Sequence, residues 1–332
     1  MLTALPDPAP GTVRRTVSLE LTPDPDWSAG LRVTATGRDV LIEGAPALGG
    51  TTPALDNSKM LRAARMTVTL DGRSRVTAIE GDLAPAVTAG LLGAGAISGF
   101  RGRLAGLDEL DPWSLESAVL DELPTVRLIS GYARMIELPP EMTFGPGRPS
   151  PMAGICAGWA PDATADRRAR EGLPVVTGTP PAAAIASMTP YFHAEPDPRP
   201  RSMRRRRILD LTAQGGGYEV FEYFRDSHFD AGLREGALHE YVVRARVAAD
   251  DGLTIQHVEV TPLALPFGEC PLTAPNAAEL TGVATREITR AVRERLRGTR
   301  SCTHLNDTLR FLRYVPALAA AISAIGGPVS GP

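Results

Sequence analysis

Near the end of the chain the sequence reads TRSCTHLNDTLR, residues 299–310, bringing a thiol, an imidazole, an amide and a carboxylate into one short stretch. The chain has only three cysteines and five histidines, so Cys302 beside His304 is a concentration of reactive groups. Leu305, Leu309 and Leu312 follow at helical spacing, which predicts a helix starting at or just after Cys302. A thiol at a helix N-terminus meets unpaired N–H groups and the positive end of the dipole. Both favour thiolate, which is a nucleophile and a metal ligand. On a regular helix, residues two apart point about 200° from each other. Cys302 and His304 therefore converge only if Cys302 lies in the turn before the helix, with Ser301 or Thr303 as cap. Asp307 is then expected near the same end, orienting the imidazole.

Further candidates lie upstream. Cys270, in FGECP, follows a strand ending near Pro262. His239 and Glu240 open the strand YVVRARV, and strand neighbours point to opposite faces, so only one of them can face a given site. Cys270, Cys302 and His304, joined by His239 or Glu240, offer the ligand types of a zinc or iron site, without a CxxC spacing. Such a metal would act as a Lewis acid or activate water. Glu240, Asp307 or His228 would move protons and Arg225 would hold an anionic group. A metal-free version has Cys302 as nucleophile and His304 as its base. His257 on an alternating strand and His193 read as structural. Cys156 and Trp159, in GICAGWAPD, read as an anchor plugging into the body.

The elements that must position these groups are written twice along the chain. VRRTVSLEL and GLRVTATGRD in the first half answer RRRRILDL and GYEVFEYFRD in the second. RMTVTLDGRSRVTAIEGD (65–82) answers VRARVAADDGLTIQHVEV (243–260), each a strand, an Asp-Gly turn and a strand. GLLGAGAISGFRGRLAG (90–106) answers GVATREITRAVRERLRG (282–298), pairing Gly90 with Gly282, and both read as helices closed by a Gly. The expected fold is α+β, two tandem repeats in a pseudo-twofold arrangement, each an antiparallel sheet followed by helices. The expected boundaries are 1–138 for a degenerate first repeat, 139–203 for a Pro/Gly-rich connector, and 204–332 for the repeat carrying the Cys/His site. Where the second half has Ser227-His228 and His239-Glu240, the first half is expected to have Val40-Leu41 and Met60-Leu61, apolar residues of a scaffold.

Composition narrows the classes. A net charge of −3 argues against a whole-protein nucleic-acid binder. No basic start leads into an apolar run, and no stretch reads as a membrane span. Three cysteines do not suggest a secreted disulfide framework, so a cytoplasmic protein is expected. Lys59 is the only lysine, as codon bias toward arginine would give. The run RPRSMRRRR (199–207) lacks interleaved aromatics and reads as a solvated strand start or a cap for acidic loops. GLLGAGAISG does not fit dinucleotide-binding spacing.

Two resemblances add to this reading. RDSHFD, LHEYVVRA, GECP and SCTHLNDTLR, spanning about 205–318, resemble an uncharacterised bacterial family of unknown function with a Gly/Ser-Cys-Thr-His-Leu signature near its end; ICAGWA looks like the same family. That resemblance implies a site made of Arg225, Asp226, His228, His239, Glu240, Cys270, Cys302, His304 and Asp307. The element order is also similar to iron–sulfur scaffold proteins of the IscU and NifU type. In that likeness Glu240 matches the family's Asp, Cys270 its middle Cys and Cys302 its late Cys, while Leu238 stands where the family has its first Cys. The expectation is an enzyme, a hydrolase, lyase or isomerase, acting on a small organic substrate that is anionic or a thioester. Zinc or iron is the expected cofactor, with no nucleic-acid or membrane partner and a homodimer left open. The other class is a non-catalytic metal or iron–sulfur carrier.

Overall fold

A computed structural model describes residues 5–23, 30–44, 57–137, 150, 152–175, 179–182 and 191–326. Parts of the connector and both chain ends lie outside the described residues. The fold is mixed α+β, built on one antiparallel sheet of eight strands. The strands are β1 (Val13–Pro23), β2 (Leu31–Ile42), β3 (Ser58–Leu70), β4 (Val76–Gly81), β5 (Met203–Gln214), β6 (Gly217–Phe229), β7 (Glu235–Ala248) and β8 (Ile255–Ala264). Their order is β4-β3-β2-β1-β5-β6-β7-β8, so each half contributes a four-strand meander and the two meet where β1 pairs with β5. Strong alternation and β-branching set these strands. The turns between them carry Asp71 and Asp250, whose carboxylates accept the backbone N–H groups of Arg75 and Thr254.

Helices follow each meander. In the first half these are α1 (Pro85–Leu91), α2 (Phe100–Ala105), α3 (Leu115–Asp121) and α4 (Leu123–Glu137). The connector holds α5 (Thr164–Arg170), with Asp166 in its first turn and three arginines in its last, as the helix dipole favours. The second half adds α6 (Ile288–Arg295), α7 (Thr303–Phe311) and α8 (Val315–Gly326). Leu115, Val119, Leu305, Leu309, Leu312 and Leu318 join the strands in one buried core on one face of the sheet. On the other face lie Tyr191 and His193, bonded to Arg38, Thr16 and Ser18.

Three expectations change here. The arginine run is not solvated: Arg204, Arg205, Arg206 and Arg207 lie on β5 at the middle of the sheet and are at most 4% exposed. Alternation sends Arg205 and Arg207 to the helix face, where they meet Asp226, Glu122, Asp307 and Glu222. It sends Arg204 and Arg206 to the other face, against Glu20, Glu195 and Glu235. A hydrophilic run can occupy a central strand when every charge finds a counter-charge. Secondly, the hydrogen bonds that pin β4 and β8 to the following turn use Gly93 and Gly282, so Gly93, not Gly90, matches Gly282. Thirdly, the continuous helical run Thr303–Ile325 is long and apolar enough to cross a membrane by length and composition, although half of its most apolar window is buried inside the fold. Asp307 within that run is held by Arg101, Arg205, Arg207 and Arg310.

Candidate functional site

Cys302 is the N-cap residue of α7, with extended backbone and no side-chain capping bond. Its carbonyl accepts the first helical bond from Asn306, at 2.9 Å. The thiol is thereby left free to turn inward, and His304 sits one residue into the helix beyond Thr303. The sulfur lies 4.0 Å from His304 Nδ1. Tyr241 donates its hydroxyl to the same sulfur at 3.2 Å. Cys270, at the head of the 3-10 segment Cys270–Leu280, is the second thiol beside Cys302.

The imidazoles come together from two elements. His239, on β7, stacks on His304 with ring centroids 3.3 Å apart and planes 15° from parallel. Across the strand pair, Asp226 of β6 faces His239, its Oδ2 lying 3.4 Å from Nδ1. One donor atom from each of Asp226, His239 and His304 lies within 4.8 Å of the others. A bulge between Asp226 and Ser227 places Leu238 as the extra residue of β7 and sets this facing. Arg205 fixes Asp226 with two parallel bonds of 2.7 and 2.9 Å, a bidentate fork that sets the carboxylate plane.

The connector closes the site. Ala157 donates its N–H to the Ser301 carbonyl at 2.9 Å. Thr164, at the start of α5, bonds Glu269, the neighbour of Cys270, through both its N–H and its hydroxyl. Cys156 is buried among Trp159, Ala165, Ala169 and Val175, with Phe267 packed against them. Gly158 permits this approach: a Cβ there would come within 2.6 Å of the Phe267 ring and 3.4 Å of the Cys270 sulfur. All three cysteines are free and buried.

Burial and neighbouring charge separate the titrating groups. The Cys302 thiol is held well below the usual range by its hydrogen bond with Cys270, and His304 and His239 add to that pull against burial. Cys270 is pushed up by the same bond and by burial. Cys156 is raised by burial and by the charge at Cys302. His239 is lowered to about 4 by burial and by His304, outweighing Asp226. Burial opposes ionisation of Asp226, but Arg205 and His239 outweigh it and hold that carboxyl low. Tyr241 is raised by burial and by Cys302.

Thus Cys302, His304, His239, Cys270 and Asp226 converge. His228 lies on β6 two residues beyond Asp226, on the same face. Three expected residues do not join them. Arg225 and Glu240 bond each other at 2.7 Å on the opposite face, where Tyr223 also donates to Glu240. The reason is alternation: the strand face that shows Asp226 and His239 hides their neighbours. Asp307 sits five residues past the N-cap and neutralises four arginines, so it does not orient His304. Tyr241 and Cys156 belong beside the thiols though the residue pattern put weight on neither; Tyr241 is two residues after His239 and so shares its face, a signal that was present.

Residues 203–317 match DUF2889, a family of unknown function. The matched stretch runs from β5 into α8 and contains every group of the cluster except Cys156. No curated protein and no solved structure matches the chain. The likeness to iron–sulfur scaffolds therefore rests on element order, and Glu240, its supposed ligand, faces away from Cys270 and Cys302.

Proposed function

We propose that this chain is a metal-dependent enzyme acting on a small organic substrate, with zinc or iron bound at His239, His304 and Asp226 and the Cys302 thiolate beside it. The carrying observation is the convergence of a buried carboxylate, a buried imidazole and a half-buried one within 4.8 Å, next to a sulfur 4.0 Å from His304. Tetrahedral zinc holds its ligands roughly 3.3–3.8 Å apart, given bonds of about 2.0–2.3 Å, so on binding the donor atoms would close by about 1 Å and the two stacked rings would splay to point at one metal. Two histidines and one carboxylate also suit ferrous iron with open positions. A bound metal would supply Lewis acidity or a low-pKa water. The chain's own residues do the rest. Arg205 orients Asp226, Asp226 orients His239, and Cys302 offers either a further ligand or a nucleophile with His304 as its base. The reaction class is hydrolase, lyase or isomerase, on an anionic or thioester substrate. The tandem duplication and the scaffold-like topology belong to the same reading, as does a cytoplasmic location, which three unpaired cysteines suit.

A second reading is favoured by the thiols. Cys156, Cys270 and Cys302 crowd one side of the histidines, as a metal or iron–sulfur carrier would need. Elemental analysis with visible spectra separates the two. The enzyme reading expects about one equivalent of zinc or iron per chain, reduced at least tenfold in affinity by His239→Ala and His304→Ala and retained in Cys156→Ser. A brown protein that loses its colour in Cys156→Ser supports the carrier. A chain that binds neither zinc nor ferrous iron sinks both.

A further inference from the structure

On the sheet face away from the metal cluster, each half carries an arginine beside its bulge, Arg225 on β6 and Arg38 on β2. Each directly precedes the aspartate at the bulge, so alternation turns it to the face opposite Asp226 or Asp39. Arg225 faces Glu240 across the strand pair, and its Nε and Nη2 donate to Glu240 Oε1 at 3.0 and 2.7 Å. Tyr223, two residues before Arg225, donates its hydroxyl to the same oxygen.

Arg38 has the same place and no carboxylate. Its register partner is Ala63. Arg38 is 8% exposed, and its side-chain bond among the described residues runs from Nη2 to the Tyr191 carbonyl at 2.6 Å; Nε is wholly buried without a partner. Burial and the neighbouring Arg14 guanidinium both lower Arg38 from its ordinary value, and no acid offsets them. Arg14 itself is taken up by Asp210, and the nearby His193 by Thr16 and Ser18. A buried charge is ordinarily paired. Room for a partner exists: Ala63 ends at Cβ and is exposed, and facing Cβ atoms of an antiparallel pair lie about 4.5–5.5 Å apart. Thr36, half-buried, stands two residues before Arg38 as Tyr223 stands before Arg225, so a hydroxyl is kept. Opposite Thr36, the exposed Arg65 adds a second guanidinium.

We propose that this face of the first half binds a small organic carboxylate over Ala63, held by Arg38, the Thr36 hydroxyl and Arg65, in the place that the Glu240 side chain fills in the second half. The planar carboxylate suits the guanidinium fork, and the second half already shows the same groups satisfied by one. The site lies on the opposite face from Asp226, His239 and His304, so it stands or falls apart from the metal reading.

Acetate titrated into the full nitrogen-15-labelled chain tests this, read at the Arg38 Nε–H resonance. Arg38→Met identifies that resonance by its loss, and Arg38→Lys does so equally if the first variant does not fold. The resonance is expected to shift saturably with acetate, and not with chloride at equal ionic strength. Ala63→Glu supplies the missing acid from the chain itself. It should shift the same resonance with no ligand added, weaken acetate binding there at least tenfold and raise the melting temperature. No shift with acetate, or an equal acetate shift in Ala63→Glu, overturns the site. Inorganic phosphate that acts at a lower concentration than acetate overturns the ligand class.

Discussion

At the bulge where Asp226 faces His239, the second half of the sheet builds its cluster; the first half has the same bulge, between Asp39 and Val40, and there Asp39 faces Arg62. The backbone around the two bulges corresponds closely. Arg15 forks onto Asp39 with two bonds of 2.8 Å, as Arg205 forks onto Asp226. Arg14 meets Asp210 and Arg204 meets Glu20 across the β1–β5 seam, one pair the image of the other. Ser114 heads α3 as Cys302 heads α7, and two residues on stand Glu116 and His304. The first half therefore has a guanidinium, a hydroxyl and a carboxylate where the second has an imidazole, a thiol and an imidazole. Arg62, Ser114 and Glu116, with Asp82, Glu109 and Asp111, line a cavity of about 240 Å³ instead of a buried cluster. Since the Arg–Asp fork occurs in both halves, the fold itself accounts for it. What the second half adds is the sulfur and imidazole chemistry. The apolar residues expected opposite His239 and Glu240 are replaced by Arg62 and Ala63, because the register puts the match two residues from Met60 and Leu61.

The comparison breaks most sharply at the two forks. Arg205 neutralises Asp226, Glu122 and Asp307, all at most 3% exposed, and it stacks over Phe224 at 4.8 Å. Arg205→Met leaves those carboxylates short of a counter-charge and should cost about 3–5 kcal/mol. Arg15, equally buried, bonds only one carboxylate, Asp39, and two backbone carbonyls. Arg15→Met should cost about 2 kcal/mol, the loss of hydrogen bonds to one charged group. Urea melts of both variants check the ranking. Equal losses would mean that the second-half fork carries no more of the interior charge than its counterpart.

The next effect is a pH dependence seated on the first half. Where β5 presents Arg206 and Ile208, β1 presents Thr16 and Ser18, and His193 bonds their hydroxyls at 2.8 and 2.6 Å. Burial, then Arg38, Arg206 and Arg204, lower His193 to about 3. A histidine lowered in the folded state binds its proton more readily when unfolded. Its contribution is complete above the ordinary value near 6.5, and it is lost as pH falls toward 3. At pH 4.5 that amounts to about 3 kcal/mol, at 1.36 kcal/mol per unit. Replacing His193 by Gln, which keeps a donor and an acceptor without titrating, should flatten the stability profile between pH 6.5 and 4. A profile of unchanged slope would move that dependence to other groups.

Much of this was legible in the residues. The meanders, the helix after Cys302 and the meeting of Cys302 with His304 follow from alternation, from the Leu305–Leu309–Leu312 spacing and from cap geometry. What stayed hidden depends on pairing across the sheet. Nothing local shows that β5 lies at the centre, so Arg204–Arg207 read as solvated; only the carboxylates of Glu20, Asp226, Glu122 and Asp307, drawn from distant segments, make their burial tolerable. Likewise the face of Glu240 is decided by register, and a single extra residue at Leu238 decides it. Cys156 packs as the anchor its sequence context predicts, and the hydrogen bond from Ala157 to Ser301 also sets it beside the other thiols.

The smallest effect divides the two helix heads. Ser114 accepts the Ser117 N–H at 3.1 Å, an ordinary capping bond, so Ser114→Ala should lose about 1 kcal/mol and leave metal binding as it was. Cys302 makes no such bond and spends its side chain on Tyr241, Cys270 and His304. In Cys302→Ser the new hydroxyl can cap α7, which offsets the lost sulfur contacts and keeps stability within about 1 kcal/mol of the parent. The same substitution should remove the ultraviolet thiolate absorbance that the parent shows below pH 7, a readout that does not require the buried sulfur to be reached from solvent, since Cys270 and the two histidines pull the Cys302 thiol down. The two heads then differ in kind, one holding its helix and the other holding charge for chemistry. If Cys302→Ser instead destabilises the chain by several kcal/mol and the parent shows no thiolate absorbance below pH 7, the sulfur at 302 is core packing, and the two halves differ only in how they fill the same space.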